Sequence, residues 1–145
     1  LESAEEIKDK KLTFSETAKS ELKTMFDAVN EILDIALSAF EKNDLELAIT
    51  VEPLEQVIDE MKENMRTSHV LRMRNGECSM EMGFVWSDIL TNFERVSDHC
   101  SNIAGCVIDA AEHNLNLHET LGNFKHNSKA FGERYKYYSE KYSKI

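Results

Sequence analysis

An all-α fold, an antiparallel up-and-down helical bundle, is predicted by three observations. Apolar residues recur at alternating steps of three and four through four long segments. Chain breakers are scarce: one Pro and five Gly in 145 residues, too few for the many turns of a β-sandwich or barrel. Hydrophobic residues make up 41% of the chain and charged residues 30%, enough for a packed core and against global disorder. The length suits one domain, and no 18-residue apolar run is present to span a membrane.

The first long helix is predicted to begin at a capping box, Thr13-Phe14-Ser15-Glu16, where hydroxyl and carboxylate satisfy free amides. Its apolar positions, Leu22, Met25, Phe26, Val29, Leu33, Ala36, Leu37 and Phe40, share one face, and the polar stretch Glu41-Lys42-Asn43-Asp44 ends it. The second runs from about Asp44 to Met73 on a seam of Val51, Leu54, Ile58, Met61 and Met65. Pro53 predicts a kink or a restart there, and Asn75-Gly76 stops the helix.

The third helix is expected from about Ser79 to His113, with Ile89, Phe93, Val96, Cys100, Ile103, Val107 and Ala110 as its seam. The fourth is expected from about Asn116 to Lys144, opening on a second box-like pair, Asn116 and Glu119. Leu121, Phe124, Ser128, Phe131, Tyr135, Tyr138 and Tyr142 continue the spacing. A 3.5-residue period in all four segments is the mark of a left-handed bundle, and short connections imply antiparallel neighbours. Helices of about 30 residues are about 45 Å long, so the bundle is elongated. Residues 1–12 are assigned to a tether or frayed end.

The formal charge of −10 disfavours nucleic acid as a partner, since the surface would repel phosphate backbones. Residues 117–145 carry a net +3 and residues 1–116 a net −13, which predicts a basic C-terminal helix docking on an acidic body or a partner. That helix also holds all four Tyr. The favoured reading is an aromatic seam packed on the bundle, the alternative a membrane or partner surface. Cys78, Cys100 and Cys106 are odd in number and form no CxxC, which fits a reducing, cytosolic compartment. The chain opens at Leu1 without a signal-peptide pattern, so a fragment of a longer protein is expected.

The candidate site is a set of four carboxylates. Glu55 and Asp59 on the second helix, and Glu94 and Asp98 on the third, are each E-x-x-x-D pairs that share one helix face. The midpoints of the pairs, residues 57 and 96, are equidistant from the Asn75-Gly76 turn, so an antiparallel hairpin sets them at one height. Glu94 and Asp98 lie roughly 140–180° from the third seam, and Glu55 and Asp59 roughly 80–120° from the second, which puts the patch on the surface. Such oxygens suit hard or borderline divalent and trivalent cations. The competing reading is a solvated acidic face, with Lys62 pairing Asp59 and Arg95 pairing Asp98 within their own helices.

Other chemistry has little support. A buried di-iron centre needs Glu-x-x-His pairs, and none of His69, His99, His113, His118 or His126 has a Glu three residues before it. Cys100 beside His99 lies on the seam and reads as core. Neither G-x-S-x-G nor a Gly-rich phosphate loop occurs, so no catalytic residue is assigned. Met61, Met65, Met73, Met80 and Met82 read as core filler before a partner groove.

The stretch Asn92-Phe93-Glu94-Arg95-Val96-Ser97-Asp98-His99-Cys100-Ser101-Asn102-Ile103-Ala104 resembles the signature of the PhoU family of phosphate-transport regulators. Asp44-Leu45-Glu46-Leu47-Ala48 followed by Glu55-Gln56-Val57-Ile58-Asp59 is similar to that family's other recurring stretch. The order of the pieces and the His99-Cys100 variant most resemble the PhoU-like domain that ends bacterial Na/Pi-cotransporter-type membrane proteins, over roughly residues 15–112.

The resemblance implies a PhoU-like three-helix unit at residues 13–115, with residues 116–145 as an additional amphipathic helix packing on it. It implies surface metal binding, to iron, zinc or another divalent or trivalent ion, at Glu55, Asp59, Glu94 and Asp98. Free-standing family members usually carry two such units in tandem. One unit here implies pairing with a second subunit, a homodimer. The expected role is a non-catalytic regulatory domain on the cytoplasmic side of the bacterial inner membrane. Its partners would be the membrane transporter portion of the same protein or another regulator, with phosphate status changing the contact. The alternatives are a metal-dependent enzyme using these carboxylates and a purely structural dimerisation module.

Overall fold

A computed structural model describes residues 2–9, 13–114 and 127–143, and among these every regular element is a helix. In chain order they are α1 (Glu2–Asp9), α2 (Glu16–Lys42), α3 (Leu45–Ala48), α4 (Val51–Arg74), α5 (Met80–Asn114) and α6 (Asn127–Lys141). Helices α2, α4 and α5 pack on one another as the central unit, and α6 lies against α4. The protein is an all-α bundle, as its periodicity predicts.

Local chemistry sets the boundaries. Ser15, not Thr13, caps α2: its hydroxyl accepts from Ala18 N at 3.2 Å. The box is expected two residues early because Thr13 and Ser15 both carry hydroxyls and either can begin an S/T-x-x motif. Asn43 closes α2 in the left-handed region at φ 52°, which Asn tolerates better than other non-glycine residues. Asp44 then caps α3 by accepting from Leu47 N at 3.0 Å. The chain restarts as α4, placing Pro53 in the first turn, where its missing amide is one that would have no helical partner. Gly76, at φ 75°, ends the α4 connection, and Ser79 caps α5 through Met82 N at 3.2 Å.

The α4 seam lies where it is predicted: Val51, Leu54, Ile58, Met61 and Met65 are all buried. Burying a side chain of this kind contributes roughly 1.5–3 kcal/mol, so these residues anchor the unit. The other two faces are rotated from expectation. On α2 the core is Met25, Ala28, Val29, Ile32, Ala36 and Ala39, while Phe26 is 53% and Phe40 62% exposed, and Leu37 is also exposed. Small alanines let neighbouring helices approach closely, and the bulkier rings turn outward. On α5 the buried line is Val85, Trp86, Leu90, Ser97, Cys100, Ala104 and Val107, whereas Ile89, Phe93, Val96 and Ile103 are only partly buried and Ala110 is exposed.

Residues Glu2–Asp9, assigned to a tether from sequence, form a helix against α5. The Asn116–Glu119 cap, Leu121 and Phe124 lie outside the described residues. Along α6 Tyr138 is buried, Tyr135 is partly buried and Phe131 is exposed, and Tyr142, just past its end, is buried too.

Candidate functional site

Three cross-helix contacts fix the register of the α4–α5 hairpin. Trp86 Nε1 donates to Met65 O at 3.3 Å, Lys62 Nζ donates to Glu94 Oε1, and Ser101 Oγ donates to Glu52 Oε2 at 2.8 Å. Glu55 and Asp59 fall between Glu52 and Lys62 on α4, and Asp98 falls between Glu94 and Ser101 on α5. The two carboxylate pairs therefore share one level of the hairpin.

Glu55 and Asp59 both lie in the field of the other carboxylates. Burial pushes the Glu55 carboxyl up to about 7, helped by the charges of Asp59, Glu52, Asp98 and Glu94. Burial also raises Asp59; Lys62 opposes this, while Glu94 and Asp98 add to it. The Asp59 Oδ1 atom is buried without a hydrogen-bond partner. Glu55, Asp59 and Glu94 are half-buried and Asp98 is exposed, so the patch sits at the edge of the helix interface.

The rotation of α5 explains this placement. Glu94 stands four residues from Leu90 and three from Ser97, both fully buried, so it turns toward α4 and not away from the core. Lys62 belongs to the patch in a way local spacing does not foretell. Only 8% exposed, it pairs across the interface with Glu94, in place of the ion pair with Asp59 that i,i+3 spacing suggests. A lysine this buried is found almost always with a partner. Its ammonium is an internal counter-charge for the carboxylates. Among the described residues, no three His, Cys, Asp or Glu side chains are gathered closely enough to hold a metal ion as they stand.

Two further features bear on contacts. Phe26, Leu37 and Phe40 form an exposed apolar stripe on α2, and the Phe26 ring meets Phe93 of α5 at 6.4 Å between centroids. A groove of about 570 Å³ lies between the start of α4, α5 and α6, walled by Ile49, Pro53, Ala104, Ile108 and Phe131.

Residues 22–107 match the model of the PhoU domain family, a span that encloses all four carboxylates and Lys62. A relative from Thermotoga maritima, the phosphate-specific transport system accessory protein PhoU homolog 1, is 38% identical over 88 residues. That alignment takes in 61% of this chain and 38% of the relative, so the chain spans well under half of the protein it matches. No solved structure gives a significant match.

Proposed function

The chain belongs to the PhoU domain family, and from that premise we propose that it is a non-catalytic regulatory domain of phosphate transport, acting through protein contacts at its surface. The observation that carries this reading is the coupled acidic patch of Glu55, Asp59, Glu94 and Asp98 at one height of the α4–α5 hairpin, inside the matched span. Desolvated like charges cost stability, so a domain that keeps them together keeps them for a partner.

The partner in this reading is the membrane portion of a sodium/phosphate cotransporter-like protein, with the domain on the cytoplasmic side of the bacterial inner membrane. Support for the cotransporter comes from the Asn92–Ala104 and Asp44–Asp59 stretches, while the name of the Thermotoga relative supports the tie to phosphate transport alone. Among the described residues no helix is long and apolar enough to cross a membrane.

Surface metal binding is the finer part of the proposal. Four carboxylates, one with a buried unpartnered oxygen, supply the oxygens that iron, zinc or another hard or borderline cation takes. For Glu94 Oε1 to join such a site, Lys62 must first release it. Elemental analysis of the purified domain, beside Glu94→Ala plus Asp98→Ala, tests this part. Metal that survives the double substitution argues against the patch.

The regulatory role is tested in cells carrying the full-length protein. Glu94→Ala plus Asp98→Ala is expected to release the control of phosphate uptake in phosphate-replete medium. Unchanged control, with the variant expressed and folded, rejects it and leaves a dimerisation module. The exposed Phe26, Leu37 and Phe40 stripe favours that second reading, as a face for a second copy of the chain.

A further inference from the structure

Near their turn, α4 and α5 face each other at His69 and Gly83: a Cβ added to Gly83 would fall 3.2 Å from His69 Nε2. One residue further along each helix stand Val70 and Phe84. In an antiparallel pair, that step of about 100° carries both to the same side of the hairpin. Arg72, three residues past His69, turns to the opposite side and reaches Glu21 of α2. Val70 and Phe84 therefore stand on the face turned away from α2. Both are exposed, Phe84 by 67%, and so is Met80, one turn before Phe84 on the same side of α5, by 76%.

The acidic patch continues this face. Asp59 lies eleven residues before Val70, close to three full turns, so the two point the same way about 16 Å apart. Beside Asp59 is a surface dip of about 370 Å³ walled by Asp59, Glu60, Glu63 and Asn64. The cations around it are Lys62, Arg66 and Arg95. Glu94 holds the first, and Glu63 accepts from the second at 3.1 Å. Glu55, Asp59, Glu60, Glu63, Glu94 and Asp98 outnumber them, and the face is acidic overall.

Charge selects the occupant. A cluster of large exposed apolar side chains marks a contact surface. An anionic lipid surface is repelled by the carboxylates alongside. A second copy docking through the same face sets like charge against like. A cationic protein segment suits both halves, the apolar end and the acidic one.

We propose that this face docks a basic amphipathic helix of a protein partner. Its bulky apolar side chains seat on Val70, Met80 and Phe84, and a lysine or arginine about three turns away enters the dip at Asp59. The inference rests on the reading of protein contacts at the patch and names the chemistry of the segment held there.

The probe is a labelled synthetic helix of about 16 residues, with two leucines at one end and two lysines about three turns further on the same face, in an alanine and glutamine background. Fluorescence anisotropy against the full chain is expected to show saturable binding, with Kd below about 100 μM, that weakens as salt is added. Phe84→Ser should weaken it by at least about 10-fold and Asp59→Asn by about 3-fold. Phe84 is exposed, so its replacement leaves the core intact, and Trp86 emission checks this. Absence of saturable binding up to about 1 mM overturns the proposal. So does an unchanged Kd in Phe84→Ser, or equal binding of a peptide with glutamates in place of the lysines. Co-sedimentation with phosphatidylserine vesicles, or dimerisation of the chain, that is lost in Phe84→Ser gives the face to a membrane or to a second copy and overturns it as well. If the peptide fails while Glu94→Ala plus Asp98→Ala still releases control of phosphate uptake, this inference falls and the regulatory reading stands. If the peptide binds as expected while that control is unchanged, the docking face stands and the regulatory reading falls.

Discussion

Lys62 of α4 holds its ammonium against the Glu94 carboxylate of α5, joining residues 32 apart in sequence at the edge of the acidic patch. The lysine is nearly buried and the glutamate half-buried, so solvent screens the pair only in part. Replacing one partner leaves the other without compensation.

Lys62→Met is therefore expected to destabilise the bundle by about 1–3 kcal/mol at neutral pH, below the roughly 3–5 kcal/mol of a fully buried pair because Glu94 still meets water. Lys62→Met with Glu94→Gln should recover most of the loss. Urea unfolding of the two single variants and the double variant measures the coupling. Purely additive losses would show that the pair contributes nothing of its own.

The acidic patch also makes stability depend on pH. Glu55 is raised in the folded state from its ordinary 4.5 to about 7, so the fold binds its proton more tightly than the unfolded chain does. Its stabilising contribution is fully present below about 4.5 and is lost as pH rises through about 7. Asp59 is raised too and acts in the same sense. His69, lowered by burial and by Arg72, acts oppositely, its contribution being lost as pH falls below its ordinary 6.5. Glu55→Gln isolates the first effect. The variant is expected to gain about 1–3 kcal/mol over the parent at pH 8 and little at pH 4.5. A constant difference across that range would mean that Glu55 is not held in a desolvated, like-charged setting.

The sequence carries the height of the patch but not its orientation. Equal distances of the two carboxylate pairs from Asn75-Gly76 suffice to level them in any antiparallel hairpin. The α4 seam is equally legible, because its large apolar residues all face inward. The turn of α2 and α5 about their own axes is not. On α2, Phe26 and Phe40 outweigh Ala28 and Ala39 on any hydrophobicity scale, yet the alanines fill the close contact. On α5 the true core line includes Ser97, a polar residue that pattern reading rejects. That misplaced line is why Glu94 looks outward-facing in the sequence. Lys62 is hidden for a related reason: spacing offers Asp59 as a neighbour, while the cross-helix partner exists only once α5 is docked.

The Arg72, Glu21 and Trp86 cluster locks α2 to the far end of the hairpin. The guanidinium makes two parallel bonds to Glu21 and lies 5.0 Å from the Trp86 ring centre. Lysine keeps the charge but loses the fork and the flat stacking face. Arg72→Lys is expected to cost about 1–2 kcal/mol and to shift the emission of Trp86, the chain's one tryptophan, toward longer wavelength. Thermal unfolding followed by that emission reads both effects at once. An unshifted spectrum with full stability would make Arg72 a replaceable surface charge.

The docking of α6 sets burial against charge, and the two are separable. Lys141 donates to both oxygens of Glu31 on α2, at 2.8 Å each, and the Tyr142 hydroxyl donates to the same carboxylate. Tyr138 and Tyr142 are themselves buried. Lys141 stays substantially exposed, so Glu31→Gln should weaken docking by only about 1 kcal/mol, the amide oxygen still accepting from Tyr142. Tyr142→Ala removes buried ring area and should cost roughly 3 kcal/mol, near the low end for losing a core aromatic. Hydrogen exchange over residues 127–141 is expected to rise modestly in the first variant and to approach free exchange in the second, with α4 and α5 protected in both. If Glu31→Gln releases α6 as fully as Tyr142→Ala, the ion pair and not the aromatic seam holds this helix to the bundle.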